Sequence, residues 1–233
     1  MAAVSITPST LSFLRDLKKH NDRPWFNENK DRYVAAHQNM IDFADVLIAE
    51  MSKYDRLVPM TGKKSLFRIY RDVRFSKDKS PYKMNFAGGL KRATRQRRGG
   101  YYYHIEPSGS FAGGGFWGPS SGDIKHIRKQ IAADPKRLRK IINSSRFKKS
   151  FGSLDGEQLK TAPQGFEKDH PAIDLLRHKQ FLISKRFTAK EVTDSTFLKK
   201  LVHTFKEMLP FFDYMSEILS TDLNGTPLFP DEK

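Results

Sequence analysis

Cysteine is absent from all 233 residues. That one absence removes disulfide staples, thiolate metal sites and a thiol nucleophile together. Long apolar runs are also missing: no stretch approaches the roughly eighteen residues that span a bilayer. The start, MAAVSITPSTLSFLRDLKKH, lacks the basic-then-apolar form of a secretion signal. The expectation is a cytoplasmic protein with no membrane association. There is no GxSxG, Walker loop, HExxH or partnered SxxK, so the familiar nucleophile and nucleotide signatures are excluded as well. Acidic charge is scarce, with 26 Asp and Glu against 42 Lys and Arg.

What is there describes a chain that folds on a core. Hydrophobic residues make up 38% and include eighteen phenylalanines, against 29% charged residues, which is a globular and not a disordered balance. The net charge of +16 is unevenly spread: residues 63–98 carry +11 and residues 123–149 carry +8, leaving −3 for everything else. Two concentrated blocks point to a positive face and an anionic partner.

The hydrophobic period changes twice along the chain. Leu11, Phe13, Leu14 and Leu17 make a short helix capped by Ser9 or Thr10, and NDRP breaks it. Pro24 opens a longer helix to about Ser52, with Trp25, Tyr33, Ala36, Met40, Phe43, Leu47 and Met51 on one stripe. FRIYR, MNFAGGL, GYYYHIE and GSFAGGG then read as short strands of an antiparallel meander, with RATRQRRGG as a four-arginine hairpin loop. Helical spacing returns after Ser121 with Ile124, Ile127 and Ile131, and again after Pro135 with Leu138, Ile141 and Ile142. A short helix near 171–178, a strand QFLISKRF and a long helix capped by Asp194 and interrupted at Pro210 complete the chain. The fold class is therefore α+β, a mainly antiparallel sheet packed by N-terminal, middle and C-terminal helices. Residues 1–9 read as a flexible N-terminus, 10–222 as one domain and 223–233 as a loose tail.

The densest candidate site is FRIYRDVRFSKDKSPYK, residues 67–83, where three arginines and three lysines stand among four aromatic rings and only two acids. As a strand, FRIYR sets Phe67, Ile69 and Arg71 on one face and Arg68 and Tyr70 on the other. With the turn that follows, Arg71, Arg74, Lys77, Lys79 and Lys83 converge on one anion, with Arg68 a further candidate contact, the arginines offering planar forks to phosphate or carboxylate oxygens. Tyr70, Tyr82, Tyr102 and Trp117 are candidate aromatic walls of that site, while Asp72 and Asp78 are either braces for the cations or, for Asp72, a catalytic group. In GYYYHIE, alternation sets Tyr101, Tyr103 and Ile105 on one face and Tyr102, His104 and Glu106 on the other. His104 and Glu106 thus form a candidate acid and base pair, or two metal ligands lacking a third. GGGFWG matches GxGxxG, but no parallel βαβ context follows it, and its glycines read as room for close backbone approach. The arginines and lysines between Lys125 and Lys149 offer a wider basic footprint for a phosphate backbone. Nothing here calls for a cofactor or a metal.

The run FRIYRDVRFSKDKSPYK, with NDRPWFNENKDRY before it and GYYYHIEPSGSFAGGGFW after it, resembles the family known as domain of unknown function 2461. The similarity spans roughly residues 10–222 and implies a single domain. It aligns Arg68, Arg71, Asp72, Arg74, Lys77, Asp78, Lys79, Pro81, Tyr82 and Lys83 with the family's central motif, while Met84 and Asn85 replace an expected threonine or histidine. The resemblance implies membership and no particular activity.

Two functional expectations follow. One is a basic site for a phosphate-bearing or other anionic ligand, most simply nucleic acid. The other is an enzyme of the hydrolase or transferase class acting on a phosphorylated small molecule, with Arg68, Arg71, Arg74 and Lys83 clamping the anion, His104 or Asp72 moving a proton and Glu106 orienting the histidine. An open groove favours the first and an enclosed cavity the second.

Overall fold

The computed structural model describes residues 4–229. Helix α1 (Pro8–Lys19) starts earlier than a Ser9 or Thr10 cap would place it. Thr7 accepts the Thr10 amide, and Pro8 fills the first turn, where its missing N–H costs nothing. Of the expected flexible N-terminus, residues 1–3 lie outside the described residues; Ile6 is buried, and the Thr7 amide donates to Asn39 at 3.0 Å. The expected long second helix is two: α2 (Arg23–Glu28), capped by Asp22, and α3 (Lys30–Met51), with Asn29 between them. A short α4 (Gly62–Ser65) precedes the basic segment.

Strands β1 (Phe86–Lys91), β2 (Gly100–Ile105), β3 (Phe111–Phe116) and β4 (Phe181–Arg186) form one antiparallel meander in chain order. FRIYR, expected as its first strand, is not one. It makes two isolated bridges, Leu66 to Gly88 and Tyr70 to Tyr82, so it is an irregular ribbon beside the start of β1. The alternation of FRIYR fails with it: Ile69 is buried, while Phe67 and Tyr70, on opposite faces of any regular strand, are both exposed. Between β3 and β4 lie α5 (Ser121–Ala133), α6 (Pro135–Ile142), α7 (Ser145–Phe151) and α8 (Ile173–Leu176), and after β4 come α9 (Ala189–Thr193) and α10 (Phe197–Ser220). Pro210 lies inside α10 without ending it. Of the expected loose tail, residues 230–233 lie outside the described residues, and 223–228 are exposed.

The chain forms two compact units, each assembled from separate stretches. One holds the residues up to Leu90 with Tyr102–Ala112 and Arg186–His203. Its core joins α1 and α3 to β1 through Phe13, Tyr33 and Phe86, and includes Phe43 and Phe187 against Phe197. The other holds Lys91–Tyr101, Gly113–Lys185 and the residues from Thr204 on. There Tyr101 packs on Phe205 and Phe212, and Phe116 on Phe211. The GGGFWG glycines are explained in this unit: Gly115 has φ +129°, and a Cβ on it would overlap the Phe181 carbonyl oxygen of β4. Gly114 and Gly115 serve close strand approach, to Gly100 of β2 and Phe181 of β4, whereas a Cβ on Gly118 would have nothing within 4 Å; no βαβ unit stands around them among the described residues.

Candidate functional site

The ribbon of residues 66–83 is anchored by the first N-terminal motif. Asn21 mimics a strand neighbour: its amide nitrogen donates to the Tyr82 carbonyl at 2.9 Å, and its oxygen accepts the Tyr82 amide at 3.1 Å. Phe26 of α2 lies flat on the Tyr82 ring, with centroids 3.9 Å apart, and Tyr70 covers both. Tyr82, a candidate ligand contact, is therefore a buried anchor. The Arg71 amide donates to the Pro81 carbonyl and the Lys83 amide to the Ile69 carbonyl, so the ribbon closes on itself before reaching β1.

Both acids of the segment are braces. Asp78 accepts the Ser80 amide at 2.9 Å and the Ser80 hydroxyl at 2.5 Å, and pairs with Arg71 at 2.5 Å. These bonds to Ser80, then Arg71, hold its carboxyl well below the usual carboxylate range. Asp72 takes Arg74 bidentately, at 2.9 and 2.7 Å, which lowers its pKa as well. Asp72 is thus committed to positioning a guanidinium. The Lys79 ammonium donates to the Val73 carbonyl at 3.0 Å. Of the six cations, Arg71, Arg74 and Lys79 are thus tied into the loop. Arg68, Lys77 and Lys83 have no carboxylate partner among the described residues.

Lys83 is the inner member of that free set. Its ammonium lies 5.9 Å from the centroid of the Phe67 ring, and burial, then the Arg68 charge, lower its pKa. Phe67 in turn stacks on Tyr102 at 6.1 Å. The β2 alternation holds as expected: Tyr103 and Ile105 are buried, while Tyr102 and His104 face outward with Phe111 of β3 beside them. The Tyr102 hydroxyl is 3.2 Å from His104 Nδ1, and His104 Nε2 is 3.3 Å from Glu106 Oε2. Burial, then the Glu106 charge, raise the Tyr102 phenol, which keeps it protonated. The result is a hydroxyl, imidazole and carboxylate in line, continuous through Phe67 with Lys83 and Arg68. Sequence spacing finds the His104 and Glu106 pair; it misses Phe67 and Phe111, whose role depends on which strands become neighbours.

The remaining candidates lie elsewhere. Trp117 belongs to the second unit, where it is exposed after β3. Three of the ten basic side chains between Lys125 and Lys149, all arginines, are paired with carboxylates in that unit. Arg137 pairs bidentately with Glu217 of α10 at 2.6 Å, Arg139 with Asp174 at 2.7 and 3.0 Å, and Arg146 with Glu207. Arg128 donates to the Leu176 and His178 carbonyls. In the four-arginine loop Arg92 is buried on Phe212 with Asp213 at 2.7 Å and Arg98 pairs with Asp123, while Arg95 and Arg97 are exposed. A cavity of about 480 Å³ lies between α1 and α9, and one of about 360 Å³ lies beside His178. Neither is lined by a residue of the Lys83 and His104 cluster. Among the described residues no group of three or more His, Asp or Glu has metal-binding geometry. No helix among them is long and apolar enough to cross a membrane.

The chain belongs to the family described as conserved hypothetical protein (DUF2461), whose model matches residues 9–214. No curated protein and no solved structure matches it.

Proposed function

We propose that the ribbon 66–83 and the adjoining outer face of β2 bind a phosphate-bearing or other anionic ligand, most simply nucleic acid. The observation that carries this is the pairing state of the charges. The two acids of the segment are spent on internal bracing, and Lys83 is held beside Arg68 with no carboxylate to neutralise either. An ammonium kept half-buried next to a second cation raises the energy of the empty site and is relieved when an anion arrives. Phe67, Arg68 and Tyr70 stand exposed along the ribbon, which suits a ligand that lies along a surface.

The test is binding of a labelled polynucleotide across a salt series. The affinity should fall linearly on logarithmic axes with a slope that counts the phosphates neutralised. No binding to any polyanion at low salt, with the protein folded, sinks the reading. A second reading, an enzyme acting on a phosphorylated small molecule, draws support from the Tyr102, His104 and Glu106 line, whose geometry suits proton transfer. The same preparation assayed for turnover of phosphate monoesters decides it: turnover must depend on His104, and its absence rejects this second reading.

A further inference from the structure

Eight large hydrophobic side chains are exposed among the described residues, and three of them, Phe67, Tyr70 and Phe75, fall within nine consecutive positions of the basic ribbon. Phe75 is 95% exposed at the loop tip, Phe67 is 50% exposed and Tyr70 48%. A phenylalanine left in water forgoes about 2 kcal/mol of burial, and one in isolation needs no explanation. A run of three, interleaved with Arg68, Arg71, Arg74 and Lys77, is a pattern that core packing does not produce.

Each of the two phenylalanines has a cation beside it. Lys83 Nζ lies 5.9 Å from the Phe67 centroid, and the Arg74 guanidinium 5.8 Å from the Phe75 centroid. Ring next to cation, repeated along a ribbon, matches base next to phosphate, repeated along a strand. The display is also pre-organised, because Asp72 and Asp78 tie Arg74, Ser80 and Arg71 into a fixed loop before any ligand arrives.

We infer that this ribbon binds nucleic acid in single-stranded form, with unpaired bases stacking on Phe67 and Phe75 and phosphates meeting Arg68, Lys77 and Lys83. The inference rests on the phosphate-binding reading above and adds the form of the ligand. In a duplex the base faces are already stacked on one another, so exposed rings gain nothing there and only the cations act. An anionic membrane surface would also attract a basic loop with an exposed phenylalanine. It is disfavoured by the polar row continuous with Phe67, where Tyr102, His104 and Glu106 can hydrogen-bond a base edge and gain nothing against acyl chains.

Fluorescence anisotropy on the full chain tests this, with labelled oligo(dT) of about 15 nucleotides, within the range of known single-strand site sizes, and a duplex of equal length. The single strand should bind at least about tenfold more tightly than the duplex. Phe75→Ala, which removes no core contact, should weaken single-strand binding about fivefold or more, leaving duplex binding and the salt slope unchanged. Phe67→Ala combined with it should weaken binding further. Equal affinity for both forms overturns the inference while leaving the phosphate reading intact. Wild-type affinity of folded Phe75→Ala for the single strand also overturns it, as does binding to vesicles of phosphatidylserine and phosphatidylcholine with none to the single strand. Failure of both nucleic acids at low salt removes the phosphate reading and the inference together.

Discussion

Lys83 carries its charge at a cost to the fold. Burial and the Arg68 charge lower its pKa, so the folded chain gives up this proton at a lower pH than the unfolded chain does. Between those two values the unfolded state holds more protons, and stability rises with pH; below the folded value the penalty is present in full. Lys83→Met removes that penalty and keeps an unbranched side chain against Phe67. The melting temperature at pH 7 should therefore be equal to or above wild type, while the salt slope of polynucleotide binding drops by about one. A stability loss with unchanged binding would make Lys83 a structural residue and refute the assignment. Asp78 shows the opposite sign. Its pKa is lowered in the fold, so its contribution to loop order is present above the ordinary carboxylate range and is lost as pH falls through its folded value.

At the scale of elements, what is legible in the sequence is what local periodicity controls. The faces of β2, the inward stripes of α1 and α3 and the succession β1, β2, β3 follow from spacing and turn residues, whereas the place of β4 as fourth strand of the meander, after four intervening helices, does not. FRIYR has the composition of a strand, yet its pairing is decided by Asn21 and Phe26, some sixty residues away for the hydrogen bonds to Tyr82. The arginines of α6 resemble a phosphate footprint for the same reason: Glu217 and Asp174, their partners, are remote in sequence. The GGGFWG glycines do announce close approach, and here the structure makes a sharp demand. Gly115 combines φ +129° with the Phe181 carbonyl where a Cβ would sit, and the Leu182 Cα only 3.0 Å away. Both obstacles are backbone, so neither yields by a rotamer change. Gly115→Ala should destabilise the protein by more than about 2 kcal/mol. In urea denaturation the midpoint should fall with the slope unchanged, whereas a wild-type midpoint would show that β3 and β4 do not approach this closely.

For the molecule as a whole, charge sets the working range. Asp16, Asp72, Asp78, Asp174, Asp194 and Glu217 all have pKa values lowered by hydrogen bonds or by arginine partners. Each binds its proton more weakly in the folded state than in the unfolded one, so the unfolded chain holds more protons as pH drops through about 4. By linkage their stabilisation is present above that value and is lost progressively below it. Protonation also raises a net charge that is already +16, so self-repulsion acts in the same direction. Most of these carboxylates are exposed, and each contributes little alone; the effect belongs to the set. Stability should accordingly be flat from about pH 7 to 8, begin to slip below about 6.5, where burial lowers the pKa values of His37 and His178 and the unfolded chain takes up those protons first, and fall steeply between about pH 5 and 3. Circular dichroism against denaturant at several pH values measures this directly. In the second unit the acid-sensitive element should be α6, which Glu217 and Asp174 hold through Arg137 and Arg139. Hydrogen exchange of the α6 amides should therefore accelerate before that of α3, and equal acceleration in both would reject the ion pairs as the acid-sensitive element.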